Sequence, residues 1–238
     1  FVEENFKDES DRNLNEDEIK EIEQQARKNI SKREEIPLEQ KEEEVQEEIN
    51  SLVDNGLKCL DEFRLLNQEQ VDYIVAKVSC AVLDHHEYLA RIAKEETGRG
   101  VFEDKCTKNL FACEYVVNNM RHLKTCGIIK DDPISGITEV ADPLGVICGV
   151  TPVTNPTSTV IFKSLIALKT RNPIIFGFHP NAQKCCVETA KIIEDAAIKA
   201  GAPKNCVQYI ANPSLDATKC LMHHKDVATI LATGGNAM

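Results

Sequence analysis

Residues Val150, Thr151, Pro152, Val153, Thr154 and Asn155 close an apolar run and lead into a helical one. Thr154 and Asn155 bring short hydrogen-bonding side chains, and Pro152 and Pro156 stiffen the chain around them. At the carboxyl end of a strand, such a turn can serve either of two purposes. With the unpaired N–H groups of the following helix, it can hold an anion or a polarised carbonyl. Alternatively, Asn and Thr can simply cap that helix. The local sequence leaves both open. No G-x-G-x-x-G fingerprint accompanies the turn.

Two further strand ends carry candidate groups. His179, before Pro180, could present an imidazole to a ribose or belong to an ordinary turn. Gly234 and Gly235 in "TGGNAM" would let backbone approach a phosphate, as would many strand-to-helix turns. Ten cysteines are present without a C-x-x-C pair, so a zinc ribbon or a thioredoxin-like centre has no support. Most fall on apolar faces, where cysteine acts as a small hydrophobe, and reduced thiols are expected. His85 and His86 have no third ligand at metal spacing, so no metal site is expected.

The elements that would position these groups follow from periodicity. Alternation starts near residue 145: strand 145–151, helix 157–170, strand 173–178, helix 181–200, strand 206–211, helix 214–223 and strand 227–232. Gly201 and Pro203 end the second helix. This order predicts an α/β fold with a doubly wound parallel sheet whose ligands lie beyond the strands' carboxyl ends. Long helices precede it. Val45, Ile49, Leu52 and Val53 line one face of a helix that Gly56 should interrupt. A capped start at Asn67 opens an apolar stripe from Val71 to Ile92 that should run unbroken to Gly98, and another helix is expected over about 101–126. "GITEV" and "GVICGV" read as short strands around the turn "ADPLG".

Charge is uneven. Residues 1–50 hold 18 acidic against 8 basic side chains, out of 39 and 28 in the chain's 238 residues. An acidic extension over 1–43 is thus expected before a nearly neutral body over 44–238. Nucleic acid is not an expected partner, because phosphate binding needs clustered Lys and Arg. Membrane insertion is not expected either, since no run approaches roughly 20 apolar residues. The opening "FVEENFKDES" is acidic and polar rather than secretory, and a first residue other than Met suggests a processed or partial product.

Three stretches carry a family resemblance: "EVADPLGVICGVTPVTNPTSTVIFKSLIALKTRNPIIF", "AIKAGAPKNCVQYI" and "LMHHKDVATILATGGNAM". "EETGRGVFEDKCTKN" and "LKTCGII" extend it through the helical region. From about residue 44 onward the chain resembles the aldehyde dehydrogenase superfamily, and within it the CoA-acylating half of the bifunctional aldehyde-alcohol dehydrogenases. The resemblance implies NAD held without a glycine fingerprint, with coenzyme A as co-substrate. Val150–Asn155 would line the nicotinamide and substrate side, His179 would stand near the adenosine ribose, and Gly234 and Gly235 would start the phosphate-facing helix. One departure stands out. Aligned on Pro152 and Pro156, the superfamily's oxyanion asparagine falls on Thr154, and Asn155 comes one place later.

The implied chemistry is attack of a thiolate on acetaldehyde, hydride transfer to NAD and thioester exchange to give acetyl-CoA. The family's nucleophilic cysteine lies downstream of the matching region, and none of the ten cysteines stands in its context. This chain alone is therefore expected to be inactive. The resemblance also implies a cytoplasmic fermentative enzyme, a homo-oligomer or helical filament, and iron only in a downstream alcohol dehydrogenase domain. Two other readings remain: a monofunctional acyl-CoA reductase for another short aldehyde, and a non-catalytic assembly module.

Overall fold

A computed structural model describes residues 38–234. The acidic extension up to residue 37, and Gly235, lie outside the described residues. The chain divides after Glu44, within the first described helix, and the unit beginning at Val45 carries the rest of that helix and every later element.

Four helices come first: α1 (Leu38–Phe63), α2 (Gln68–Asp84), α3 (His86–Thr97) and α4 (Phe102–Met120). Helix α1 continues through Gly56, contrary to expectation. A Cβ there would stand 3.1 Å from a Val146 methyl group, so the missing side chain serves close packing rather than a break. The expected single helix from Asn67 to Gly98 is two. Asn67 and Gln70 form a reciprocal capping box at its start, and Gly98 closes α3 in the left-handed conformation. Between them His85 leaves helical geometry at φ −113°, ψ 4°, which ends α2 and starts α3 anew. Both histidine rings fold back onto helix carbonyls, with Nδ1 2.7 Å from Ala81 O for His85 and 2.6 Å from Leu83 O for His86.

A two-stranded antiparallel ribbon follows, β1 (Gly127–Asp132) and β2 (Ile137–Ala141). Its second strand was legible as "GITEV". Its first, "GIIKDD", was not, because both of its faces are open and no alternation marks it.

The α/β order then proceeds as expected: β3 (Val146–Val150), α5 (Pro156–Lys169), β4 (Ile174–Gly177), a 3₁₀ turn (Pro180–Ala182), α6 (Gln183–Lys199), β5 (Val207–Tyr209), α7 (Leu215–His223) and β6 (Val227–Ala232). The four strands are parallel in the order β5-β4-β3-β6. Two layers of helix cover them, and the strand side chains divide between those layers. Val146, Cys148, Val150 and Ile175 pack with Ile49 and Val53 of α1 and Ala217 and Leu221 of α7. Ile147, Ile174 and Phe176 pack with the larger core of α2–α6. Every residue of β3 and β4 is buried, as strands covered on both faces should be.

The strand order matters for function. The chain steps from β3 to β4 to β5 in one direction, then returns to place β6 on the other side of β3. The reversal point lies between β3 and β6, which end in register at Val150 and Ala232. In sheets of this kind, that crevice is where a ligand sits.

Candidate functional site

The Thr151–Asn155 turn stands at that reversal point. Thr151 N–H donates to Gly177 O at 3.3 Å, and Thr233 N–H to Val150 O at 3.2 Å, so the strand ends continue their ladders into the loops. Pro156 occupies the first position of α5, where its missing N–H costs nothing.

The capping role open to Asn155 is not taken up: its side chain makes no bond to the N–H groups of α5. Its backbone oxygen instead accepts from Thr159 Oγ1 at 2.6 Å. The start of α5 therefore keeps donors that no side chain caps. Beside them, Thr151 Oγ1 is buried without a hydrogen-bond partner. An uncapped helix start and an orphaned hydroxyl at a sheet's reversal point suit a bound nucleotide or carbonyl.

The other strand ends differ. At the end of β4, His179 Nδ1 accepts from Asn181 N–H at 3.1 Å. A neutral ring in that arrangement carries its proton on Nε2, a donor suited to a ribose hydroxyl. The helix beyond it is closed. Glu96 accepts from Lys184 N–H at 2.9 Å and Cys185 N–H at 2.7 Å, so a carboxylate already occupies the start of α6. The cleft beside it, of about 430 Å³, is lined by Glu95, Glu96 and Glu188 against the single cation Lys184, an acidic excess that disfavours a phosphate. At the end of β6, Gly234 is the last described residue. Of the predicted site residues, Val150 to Asn155 and Gly234 stand at the ends of the adjacent strands β3 and β6, and His179 follows β4, one strand away.

Three lysines complete the site, and sequence reading passed over all of them. Lys163 lies inside α5 with 2% exposure, and its ammonium donates to Val150 O at 2.6 Å and to Leu231 O. It thus ties together the ends of the two strands that form the crevice. Burial lowers its pKa to about 8, against a smaller opposing influence from Cys148. Lys105 of α4, 4% exposed, donates to Thr154 O at 3.1 Å, and burial lowers its pKa as well. Lys108, one turn along α4, donates to Asn155 Oδ1 at 2.9 Å. None of the three has a carboxylate within ion-pair distance among the described residues, whereas the buried Lys169 pairs with Asp72. The available signal was a lysine amid the apolar run "VIFKSLIALK" and a Lys-x-x-Lys-Asn spacing in "DKCTKN".

Five buried thiols are held away from nucleophile activation. Burial pushes the pKa values of Cys113, Cys148 and Cys206 up to about 12, and Cys59 higher still. Contact with Cys186, then burial, does the same to Cys185. A thiolate nucleophile needs the opposite shift.

Residues 19–238 match the profile described as "Aldehyde dehydrogenase family". The chain is 62% identical over 196 residues to Aldehyde-alcohol dehydrogenase 2 of Entamoeba histolytica, covering 82% of this chain and 22% of that one. Among solved structures it is similar to an acetylating aldehyde dehydrogenase from Geobacillus thermoglucosidasius, with TM-score 0.80 and 42% identity over 82% of this chain and 43% of that one. It is also similar to a Rhodopseudomonas palustris propionaldehyde dehydrogenase with bound CoA and an acylated cysteine, with TM-score 0.69 and 30% identity over 79% and 43%. The chain thus spans about a fifth of the length of the curated relative and under half of each solved one.

Proposed function

The chain belongs to the aldehyde dehydrogenase family, and from that premise we propose that it is the cofactor-holding part of an acetylating acetaldehyde dehydrogenase, which interconverts acetyl-CoA and acetaldehyde using NAD(H). The observation that carries this reading is the uncapped turn Thr151–Asn155 at the sheet's reversal point, with Thr151 Oγ1 orphaned beside it. NAD supplies a hydride acceptor when bound. The residues that would hold it are Val150 to Asn155 on the nicotinamide side, His179 through Nε2 at the ribose, and Gly234 and Gly235 at the phosphates.

Within that arrangement the chain performs two tasks. It holds the reacting carbonyl against donors whose bonds strengthen as negative charge develops on oxygen: the first N–H groups of α5 and the side chain of Asn155 or Thr154. It also ties the two strand ends together at the base of the site, where Lys163 donates to Val150 O at the end of β3 and to Leu231 O of β6. The thioester-forming cysteine belongs to the family's downstream domain, a reading supported by the raised pKa of every thiol named above.

The bifunctional relative favours an alcohol dehydrogenase partner domain over the monofunctional alternative. Iron in that domain, a fermentative role, a cytoplasmic location and assembly into a homo-oligomer or helical filament complete the proposal and rest on the resemblance. No described helix is long and apolar enough to cross a membrane. The domain reading is an acidic extension over 1–43 that is separate from the cofactor-holding unit over 44–238.

The test uses a completed enzyme, in which residues 45–238 replace the matching segment of the Entamoeba histolytica relative. Amide hydrogen exchange with and without NAD⁺ should show protection over 150–159 and 231–234. Protection confined to the cleft between α3 and α6 would contradict the proposal.

A further inference from the structure

Helix α4 grips the turn from a single face. Lys105, Lys108 and Asn109 lie three and four residues apart, so they share one side of the helix. Lys105 Nζ holds Thr154 O at 3.1 Å, and Lys108 Nζ holds Asn155 Oδ1 at 2.9 Å. Asn109, fully buried, accepts from Thr157 Oγ1 at 2.9 Å and donates to His86 O at 3.0 Å. Thr154 and Asn155 of the turn and Thr157 in the first turn of α5 are thus fixed by groups more than forty residues earlier in the chain.

The contact at Asn155 has a chemical consequence. An ammonium can only donate, so the atom of Asn155 that faces Lys108 must be the amide oxygen. Both amide N–H groups then remain without a protein partner among the described residues. A cation on the oxygen also draws electron density from the nitrogen, so those N–H groups become stronger donors. Thr154 differs. Its backbone oxygen is held by Lys105 and its exposed hydroxyl by nothing described, so its side chain is free to rotate.

With the Asn155 amide as the donor to the reacting carbonyl oxygen, we propose that Lys108 is its positioning residue, orienting and polarising that amide through the contact at Oδ1. This rests on the reading of the turn as the carbonyl site. Lys105 supports the arrangement by holding the Thr154 peptide, so that the neighbouring side chain does not swing away. Lys108 is exposed, so its replacement leaves the core untouched.

The experiment is a double-mutant cycle in the completed enzyme, measuring kcat and KM for acetaldehyde in the presence of CoA and NAD⁺. Lys108→Met should lower kcat by about tenfold to a hundredfold, the scale of a misplaced catalytic group, with KM within about twofold. Lys108→Arg keeps a donor to the amide oxygen and should recover most of the loss. In an Asn155→Ala background, Lys108→Met should have no further effect, because its action passes through a side chain already removed. A loss of equal size in both backgrounds, or an unchanged kcat for Lys108→Met, would overturn the role given to Lys108. An unchanged kcat for Asn155→Ala would overturn the assignment of Asn155. If Thr154→Val also left kcat unchanged, the carbonyl-site reading beneath it would fall too.

Discussion

Gly149→Val is expected to destabilise this chain by about 2–3 kcal/mol, the cost of forcing extra volume into a packed core. Gly149 lies in β3, one residue before the turn, with β4 alongside it. A Cβ at that position would stand 2.7 and 2.8 Å from two atoms of the Phe176 ring and 3.0 Å from the Ile174 terminal methyl. Phe176 cannot readily retreat. It is fully buried and stacks on Phe178, with ring centroids 5.3 Å apart. The melting temperature should fall by roughly 5–10 °C, given about 2–4 °C per kcal/mol for a chain of this size. Phe176→Leu, costly by itself, should lose part of its cost when combined with Gly149→Val, since it frees the space the new methyl groups need. A melting temperature within a degree of the parent would show that the sheet yields where it is packed tightest.

Alkaline pH should destabilise the fold more than any single substitution. Cys113, Cys148 and Cys206 have their pKa raised to about 12 by burial, and Cys59 and Cys185 are raised further. Unfolded thiols ionise near 8.5, so above that pH the unfolded chain loses protons that the folded one keeps. Stability held in full below about pH 8.5 is therefore lost as pH rises towards the folded values, by up to about 1.4 kcal/mol per thiol per pH unit. Lys163 acts in the opposite direction. Its folded pKa of about 8 lies below the unfolded value, so the cost of burying its charge is relieved between about pH 8 and 10.5. Lys105, whose pKa burial also lowers, acts in the same sense as Lys163. Five thiols outweigh two lysines, and the net loss between pH 8 and 10 should be on the order of 5 kcal/mol. Denaturant titrations across that range measure it, and Cys148→Ala should flatten the slope. A pH-independent midpoint would mean that the thiols are not sealed from water in the folded chain.

Much of the sheet was legible because β3 to β6 alternate with helices whose ends are written locally: Pro156 opening α5, and Gly201, in a positive-φ conformation, following α6. Elements that depend on distant partners were harder to read. The strand Gly127–Asp132 has no buried face, so its pairing with Ile137–Ala141 left no period to detect. Gly56 looked like a break because the valine it packs against is ninety residues away. His85 interrupts a stripe whose apolar positions continue on either side of it.

The site divides the same way. The turn at Val150–Asn155 and the imidazole at His179 stood out through residue type and position at strand ends. The three lysines did not, because lysine in a sequence reads as solvated surface. Lys105 and Lys163 are buried by contacts with carbonyls on other elements, which no local pattern encodes. The closure of α6 by Glu96 was hidden for the same reason, since that carboxylate comes from the end of α3.

The central claim is that the turn after β3 acts on the reacting carbonyl rather than merely beginning a helix. The most direct measurement compares kcat with melting temperature for Thr154→Val combined with Asn155→Leu in the completed enzyme. Both substitutions keep approximate size and remove only hydrogen-bonding groups, and neither side chain caps α5. The account predicts a loss in kcat of about 10²–10³-fold, the usual effect of removing a donor to a developing oxyanion, with the melting temperature shifted by no more than about 2 °C. Full activity with a lowered melting temperature would contradict it, and would reduce the turn to a structural start for α5.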